Sequence, residues 1–298
     1  MKDTVRQDSA PATVSRVKVW LALLTVYIVW GSTYLGIRVA LEGWPPFAMA
    51  AIRFAIAGAL MLAFLRWRGT PWPTAKQWRN CAITGTLLLA GGNGLVCYAE
   101  LTVSSGLAAV AVAVMPLFAA LFAGIYGKWP AGRDWLGLVI GFAGVIALNL
   151  GGEMRASPAG AMALLAAPIA WSFGSVWSKH QDMPNPFMST AAQMLLGSVP
   201  LAAIAYFMGE GVPSAPSLKS TLAVAYLVVF GSILAFTAYI YLLNRVRPAL
   251  ATSYAYVNPP IAVLFGVLLA GETFGPFEAV AMVVILVGVV VILTSRAR

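Results

Sequence analysis

The chain has 298 residues, of which 60% are hydrophobic and only 10% are charged. Soluble domains carry about 25% charged residues, so this composition excludes an ordinary soluble protein and favours one embedded in lipid. A net charge of +9 is also typical of nucleic-acid-binding proteins, but here the basic residues lie almost entirely between apolar runs, where they report membrane topology. We therefore expect membrane lipid, and no nucleic acid, among the partners.

Apolar runs along the chain are long enough to cross a membrane. A spanning helix needs about 20 apolar residues, because the hydrocarbon core is about 30 Å thick and each helical residue advances about 1.5 Å. The sequence predicts an all-α polytopic membrane protein with ten transmembrane helices after an N-terminal segment of residues 1–17. The predicted spans are 18–38, 47–65, 80–100, 104–126, 133–150, 158–178, 187–208, 219–243, 249–270 and 276–294.

The basic residues predict the direction of these spans. With a cytoplasmic N-terminus, 15 of the 19 Lys and Arg residues lie on the cytoplasmic side, three lie outside and Arg53 lies within the second span. This is the positive-inside pattern of membrane proteins. We therefore predict a multi-pass protein of the cell inner membrane with both termini in the cytoplasm.

The two halves of the sequence resemble each other. A shift of 143 residues matches Pro116 with Pro259, and a shift of 141 matches Trp30 with Trp171. Such matches carry weight because Trp and Pro are much less frequent here than Ala, Leu and Val. The predicted halves are residues 18–150 and 158–294. Five spans per half is an odd number, so the second half enters the membrane from the opposite side, as in alternating-access transporters built from inverted repeats.

Both halves also carry motifs that resemble a known transporter domain. In the first half they are Trp30-Gly31-Ser32, Tyr98, Ser104–Ala109, Met115–Phe118 and Gly144-Val145. In the second half they are Tyr241, Pro248–Ala251, Asn258–Pro260, Gly271-Glu272 and Gly288-Val289. The sequence resembles two copies of the EamA domain of the drug/metabolite transporter superfamily and is most similar to the YddG-type amino-acid exporters. The resemblance implies export of aromatic and other neutral amino acids. One departure is that Lys128-Trp129 replaces the acidic residue expected after the fourth helix, whereas Glu272 is kept.

Polar and aromatic side chains near the middle of a span are costly in lipid unless they face a cavity or another helix. Residues four apart share a helix face, and three such pairs form aromatic-polar stripes: Trp30 with Tyr34, Trp171 with Ser175, and Tyr254 with Asn258. Asn93, Tyr98 and Tyr239 are further polar or aromatic residues within spans. We predict that these nine residues line a central substrate-binding cavity. The alternative is ordinary packing or a place in the aromatic belt at the membrane surface.

Three positions are candidate hinges or gates. Pro116 and Pro259 lie inside predicted helices, where each removes a backbone hydrogen bond, and Gly92 lies in a glycine-rich stretch of the third span. Static kinks and close helix approach are the alternatives. Gly137 and Gly141 form a small-residue face on the fifth span, for which packing within the chain is favoured over dimerisation. We therefore expect a monomer, with a homodimer as the alternative.

Charged residues restrict the substrate. No acidic residue lies at mid-membrane, which disfavours exchange of protons for lipophilic cations on a buried carboxylate; Glu100 is the acid nearest to a cavity mouth. Arg53 is interpreted as a structural residue that extends to the membrane surface or pairs with Glu42, with the cavity mouth as the alternative. A largely neutral cavity lined by aromatic, hydroxyl and amide groups suits a zwitterion with an apolar side chain.

The sequence thus predicts an alternating-access transporter that exports small neutral metabolites, with amino acids as the expected substrate. A multidrug transporter and a nucleotide-sugar-like carrier are the alternatives of the same fold, the latter requiring Lys or Arg in the cavity. A membrane-embedded enzyme is less favoured, because it needs a nucleophile–base pair or a metal cluster. His180 is the single histidine, and Cys81 and Cys97 are isolated, so we predict no catalytic residue, metal site or cofactor. The residue chemistry alone does not exclude a passive channel or a receptor.

Overall fold

The computed structural model describes residues 16–130, 132–150, 157–243, 245–246 and 253–294. Within these residues all regular secondary structure is helical. The helices are α1 (Arg16–Ala40), α2 (Pro46–Trp67), α3 (Ala75–Ala99), α4 (Ser105–Tyr126), α5 (Arg133–Asn149), α6 (Pro158–Ser178), α7 (Pro186–Phe207), α8 (Leu218–Leu243), α9 (Tyr254–Ala270) and α10 (Pro276–Thr294). The predicted segment 1–17 and the first residues of the predicted span 249–270 lie mostly outside the described residues.

Helix length and composition agree with a polytopic membrane protein. Helices α1–α4 and α6–α8 have 21 to 26 residues each and are apolar enough to cross a membrane. Helix α5 has 17 residues, α9 has 17 and α10 has 19, which at about 1.5 Å per residue covers roughly 25–29 Å. The predicted all-helical class is therefore confirmed for the described part of the chain.

Contacts at one end of the bundle show where several helices begin and end. The ammonium of Lys219, at the start of α8, lies 2.7 Å from the Glu42 carboxylate, just after α1. At the same end Thr102, after α3, shares a 2.6 Å hydrogen bond with Ser157, just before α6. We name this the Glu42 end of the bundle. Helix α1 ends there, whereas α6 begins there.

The opposite end holds contacts between the connections that follow α4 and α6 and the start of α3. The Gln77 amide, in the first turn of α3, donates to the Asp182 carboxylate at 3.0 Å, between α6 and α7. The rings of Tyr126, at the end of α4, and His180, just after α6, stack with centroids 3.7 Å apart. We name this the Asp182 end of the bundle.

Helix packing follows a reciprocal pattern. Helix α2 packs along α7, α5 along α10, and α4 against α9. Helix α1 packs against α8 and α9, while α6 packs against α3 and α4. If the first five helices are exchanged with the last five in order, this set of contacts maps onto itself.

Glycines allow α5 and α10 to approach backbone to backbone. A Cβ on Gly288 would lie 2.6 Å from the Gly141 Cα and 2.7 Å from the Gly137 carbonyl oxygen, too close for any side chain there. The small-residue face predicted on the fifth span thus packs within the chain. Small residues are the usual means of close helix contact in lipid.

Several helices depart from regular α geometry. Within α1, α3 and α8 the segments Val26–Trp30, Thr86–Gly94 and Leu227–Leu234 are π-helical. The segments in α3 and α8 begin 141 residues apart, at matching positions of the two halves. A π-helical turn inserts one residue and breaks the regular i→i−4 hydrogen-bond ladder, and such turns occur frequently at functional sites.

Helix α4 is interrupted where the sequence predicted a continuous span. Its α-helical parts are Ser105–Val112 and Met115–Ala123, and Pro116 lies in the first turn of the second part. Because Pro116 has no N–H, it cannot donate to the Val112 carbonyl. Pro259, by contrast, lies within the continuous helix α9. The interruption lies directly before Met115-Pro116, and a hinge at either proline stays a prediction.

Candidate functional site: a central cavity

A cavity lies among α1, α2, α3, α4, α6, α8 and α9. It contains about 680 Å³ of empty space, a volume that includes open solvent at its mouth. Seven of the predicted site or hinge residues line it: Trp30, Tyr34, Gly92, Asn93, Trp171, Tyr254 and Asn258. Helical periodicity therefore brought most of the predicted residues to one place.

The other predicted residues do not line the cavity. The Tyr98 ring stacks on Phe47 of α2, with centroids 5.9 Å apart. The carbonyl of Ser175 accepts a hydrogen bond from the Ser178 hydroxyl at 3.0 Å. Tyr239 lies behind the wall, in contact with lining rings. The hinge candidates Pro116 and Pro259 directly follow the lining residues Met115 and Asn258.

One wall is an aromatic cluster around Trp30. Its ring centroid lies 5.1 Å from that of Phe236, 5.3 Å from Tyr239 and 4.8 Å from Tyr254. These separations are typical of favourable edge-to-face and tilted contacts. The Trp30 Nε1–H donates to the Gly231 carbonyl at 3.1 Å, within the π-helical part of α8. Ring contacts and this hydrogen bond together hold the indole in one orientation.

Another part of the wall depends on close contact between α3 and α6. A Cβ on Gly92 would lie 2.7 Å from the Cε3 atom of Trp171, so only glycine leaves room for that indole. The neighbouring Asn93 Oδ1 lies 3.6 Å from the Cys97 Sγ. Close helix approach is thus observed at Gly92, while a gating role stays a prediction.

Arg53 is the lining residue that the sequence interpretation had placed elsewhere. Its side chain is only 2% exposed and forms part of the cavity wall. The Nε–H donates to the Ser232 hydroxyl at 2.9 Å, and Nη1 has no hydrogen-bond partner among the described residues. Glu42 pairs with Lys219 instead. The wall is therefore aromatic and polar as predicted, but it also carries a cation.

A second lining residue has an unsatisfied polar atom. Asn258 is 7% exposed, and its Oδ1 has no hydrogen-bond partner in the described structure. The sequence analysis also missed the lining residues Thr33, Ile37, Val96, Val112, Met115, Ala167 and Phe236. Three of them lie three residues after a predicted lining residue, so extending each stripe along its helix face finds them.

No carboxylate is among the described residues that line the cavity. Glu100 is fully buried and neither of its carboxylate oxygens has a hydrogen-bond partner. Its backbone carbonyl accepts a hydrogen bond from the Arg38 guanidinium at 2.7 Å. Across the described ranges no group of three His, Cys, Asp or Glu residues is arranged to hold a metal ion.

Glu272 connects the two halves at the Glu42 end. One carboxylate oxygen accepts the Ser105 N–H at 2.9 Å, and the other accepts the Ser105 hydroxyl at 2.8 Å and the Gly106 N–H at 3.2 Å. It therefore caps the N-terminus of α4, where a negative charge is favourable. At the matching position of the first half, Trp129 instead packs against Gly124.

Comparison with known proteins identifies the family. The EamA-like transporter family matches residues 17–150 and again residues 158–294. An Escherichia coli K12 protein named "Uncharacterized inner membrane transporter YedA" is 47% identical over 92% of this chain and 90% of its own length. The chain belongs to the EamA-like transporter family. It is a membrane transporter.

More distant relatives cover the chain equally well. A "Probable terminal-alkyne amino-acid exporter" of Streptantibioticus cattleyicolor is 24% identical over 92% of each chain. A crystal structure at 22% identity aligns with a TM-score of 0.63 over 93% of this chain and 98% of the other. At that identity the structural match shows a shared fold alone.

Proposed function

We propose that this EamA-family protein is an alternating-access transporter of the cell inner membrane that exports small neutral metabolites, amino acids with aromatic side chains among them. The central cavity is the observation that carries the proposal. Its aromatic cluster offers a surface on which an apolar side chain can stack. Its polar groups can replace the water lost by the charged ends of a zwitterion. The amino-acid exporter among the relatives supports the same substrate class.

The proposed architecture is ten spans in two inverted halves, residues 18–150 and 158–294. Two matches to one family support related halves, and the reciprocal packing of the helices supports a two-fold relation between them. Opposite orientation is supported because α1 ends and α6 begins at the Glu42 end. Halves of this kind can pack in two nearly equivalent ways, each open to one side of the membrane.

The proposed orientation places the Asp182 end and both termini in the cytoplasm. The excess of Lys and Arg in the segments predicted to be cytoplasmic supports it. We further propose a monomer, supported by the packing of the small-residue face of α5 against Gly288 within the chain.

Flux into liposomes that contain only this protein tests the proposed function. Labelled Phe, Thr and Lys are supplied with and without an imposed pH gradient. We expect flux of Phe and Thr, and little of Lys, because a cationic side chain has no carboxylate partner among the described lining residues. Absence of flux for every amino acid would refute the proposal, and flux of cationic dyes alone would support the multidrug alternative.

Trp30→Ala tests whether the cavity carries the flux. Trp30 lies at the centre of the aromatic cluster, so its loss removes both stacking area and the contact that fixes α1 against α8. We expect at least a tenfold loss of Phe flux at normal expression. Trp67→Ala is the matched control, because Trp67 is 79% exposed at the end of α2. Equal flux in the two variants would make Trp30 a packing residue.

A further inference from the structure

Two buried polar atoms in the cavity wall lack a hydrogen-bond partner among the described residues. They are the Nη1 donor of Arg53 and the Oδ1 acceptor of Asn258. Buried polar groups are nearly always hydrogen-bonded, and leaving one unpaired is costly. A donor and an acceptor that are both unpaired in one cavity are available to water or to a bound ligand.

Arg53 is held so that one N–H group stays available. Its Nε–H is taken by Ser232, and a Cβ on Gly231 would lie 3.1 Å from Nη2, so a larger residue at that position would crowd the guanidinium. Both neighbours lie in the π-helical part of α8. The guanidinium is therefore packed into place before any ligand arrives.

The positive charge of Arg53 has no carboxylate within hydrogen-bond distance in the described part of the chain. Glu42 pairs with Lys219, and the buried Glu100 carboxylate interacts with Arg53 electrostatically but accepts no hydrogen bond. An Arg side chain stays protonated in proteins, and a buried charged group whose N–H donors are not all paired is unfavourable. An anionic group in the cavity would give Nη1 the hydrogen-bond partner that Glu100 does not supply.

We propose that Arg53 binds the carboxylate of the substrate through Nη1 and that Asn258 Oδ1 accepts a hydrogen bond from its ammonium group. The cavity then recognises α-amino acids by both charged ends, while the side chain lies against the aromatic cluster. This inference rests on the proposed function and narrows it to ligands that carry a zwitterionic head group.

The depth of the two residues in the bundle fits such a head group. Arg53 lies seven residues after the first residue of α2, and Asn258 lies twelve residues before the last residue of α9. Both of those helix termini are at the Glu42 end, so the two residues differ in depth by about five residues, or roughly 7 Å along the axis. The two residues therefore lie within about two helical turns of each other in depth, in the wall of one cavity.

The charge of the wall favours a carboxylate over a phosphate. Arg53 is the cationic residue among the described lining residues, and one guanidinium matches the single charge of a carboxylate. Phosphate groups carry more charge and are usually held by several strong donors. A phosphate ester therefore serves as the competing ligand in the test.

Calorimetric titration of the purified protein in lipid nanodiscs tests the inference. The ligands are L-Phe, phenethylamine, which lacks the carboxylate, 3-phenylpropionate, which lacks the ammonium, and glucose 6-phosphate. Wild-type protein should bind L-Phe at least tenfold more tightly than the other three. Arg53→Gln should weaken L-Phe binding by about 10- to 100-fold, the range for a charged hydrogen bond. It should not weaken binding of phenethylamine, a cation that gains from removal of the positive charge.

Asn258→Ala should give the converse result. It should weaken binding of L-Phe and leave binding of 3-phenylpropionate unchanged, because that ligand has no ammonium group. Arg38→Gln is the matched control, because it also removes a positive charge near the Glu42 end. Arg38 donates to a backbone carbonyl and is not a lining residue. It should retain wild-type affinity for L-Phe.

The outcomes separate this inference from the proposed function. The inference would be overturned if folded Arg53→Gln kept the wild-type affinity for L-Phe. It would also be overturned if the wild-type protein bound glucose 6-phosphate more tightly than L-Phe. Neither result would refute the proposal that the protein is a transporter. Arg53-dependent binding of 3-phenylpropionate with no binding of any amino acid would refute the proposed substrate and the Asn258 contact. If Arg53→Gln does not fold, Ser232→Ala keeps the charge but frees the guanidinium. It should then reduce the preference for L-Phe over phenethylamine, and an unchanged preference would count against the inference.

Discussion

Replacing Glu272 should loosen the Glu42 end of the bundle. Its carboxylate accepts three hydrogen bonds from Ser105 and Gly106 at the start of α4. Glu272→Ala removes all three and leaves the first N–H groups of α4 without these acceptors. Glu272→Gln keeps an acceptor oxygen but removes the negative charge from the helix N-terminus.

The magnitude follows from the capping contacts. Loss of an N-terminal cap costs about 0.5–2 kcal/mol, and loss of a favourable charge at a helix terminus costs about 0.3–1 kcal/mol more. We expect Glu272→Ala to lower the free energy of unfolding by about 1–3 kcal/mol and Glu272→Gln by about half as much. For domains of 150–250 residues about 1 kcal/mol shifts the melting temperature by roughly 2–4 °C, so the alanine variant should melt several degrees lower.

Thermal unfolding of the purified variants in one detergent, followed by intrinsic fluorescence, measures this shift. Glu42→Ala is the control at the same end of the bundle, because its ion pair with Lys219 joins side chains that are 50% and 64% exposed. Exposed pairs contribute about 0–1 kcal/mol. The capping argument fails if Glu272→Ala melts no lower than Glu42→Ala.

Two glycines should be sensitive to small additions. Gly92→Ala places a Cβ 2.7 Å from the Trp171 ring and should reduce amino-acid flux at least fivefold at normal expression. Gly211→Ala is the control, because a Cβ there meets nothing within 4 Å, and it should leave the flux unchanged. Gly288→Leu should separate α10 from α5 at Gly141 and lower stability by about 1–3 kcal/mol or more, as overpacking does. A melting temperature equal to that of wild type would show that these two helices do not depend on backbone contact.

The helices were predictable because long apolar runs bounded by charged residues, Pro and Gly mark membrane spans. The predicted span 47–65 became Pro46–Trp67, and 158–178 matched α6 residue for residue. The break in α4 was not predicted beyond a kink at Pro116, since hydropathy is the same on both sides of it. The π-helical segments leave no trace in composition, and the sequence analysis contained no sign of them.

The cavity residues were predictable where one helix face carries the signal. Trp30 and Tyr34 share a face and both line the cavity. Tyr98 was predicted from polarity alone, but its ring turns toward Phe47. The position of the Arg53 side chain could not be predicted from a local pattern, because its hydrogen-bond partner, the Ser232 hydroxyl, lies 179 residues away in the sequence.

Because of the π-helical segments, the number of residues in α3 and α8 determines which side chains face the cavity. Each inserted residue in α3 and α8 advances the rotation of the following chain by about 100° relative to a regular helix. Deleting one residue from Thr86–Gly94 would restore α-helical hydrogen bonds in α3, yet it would turn Val96 away from the wall that it lines. Residue count in these helices is therefore constrained as tightly as residue identity, and single-residue deletions there should impair transport while leaving hydropathy and predicted topology unchanged.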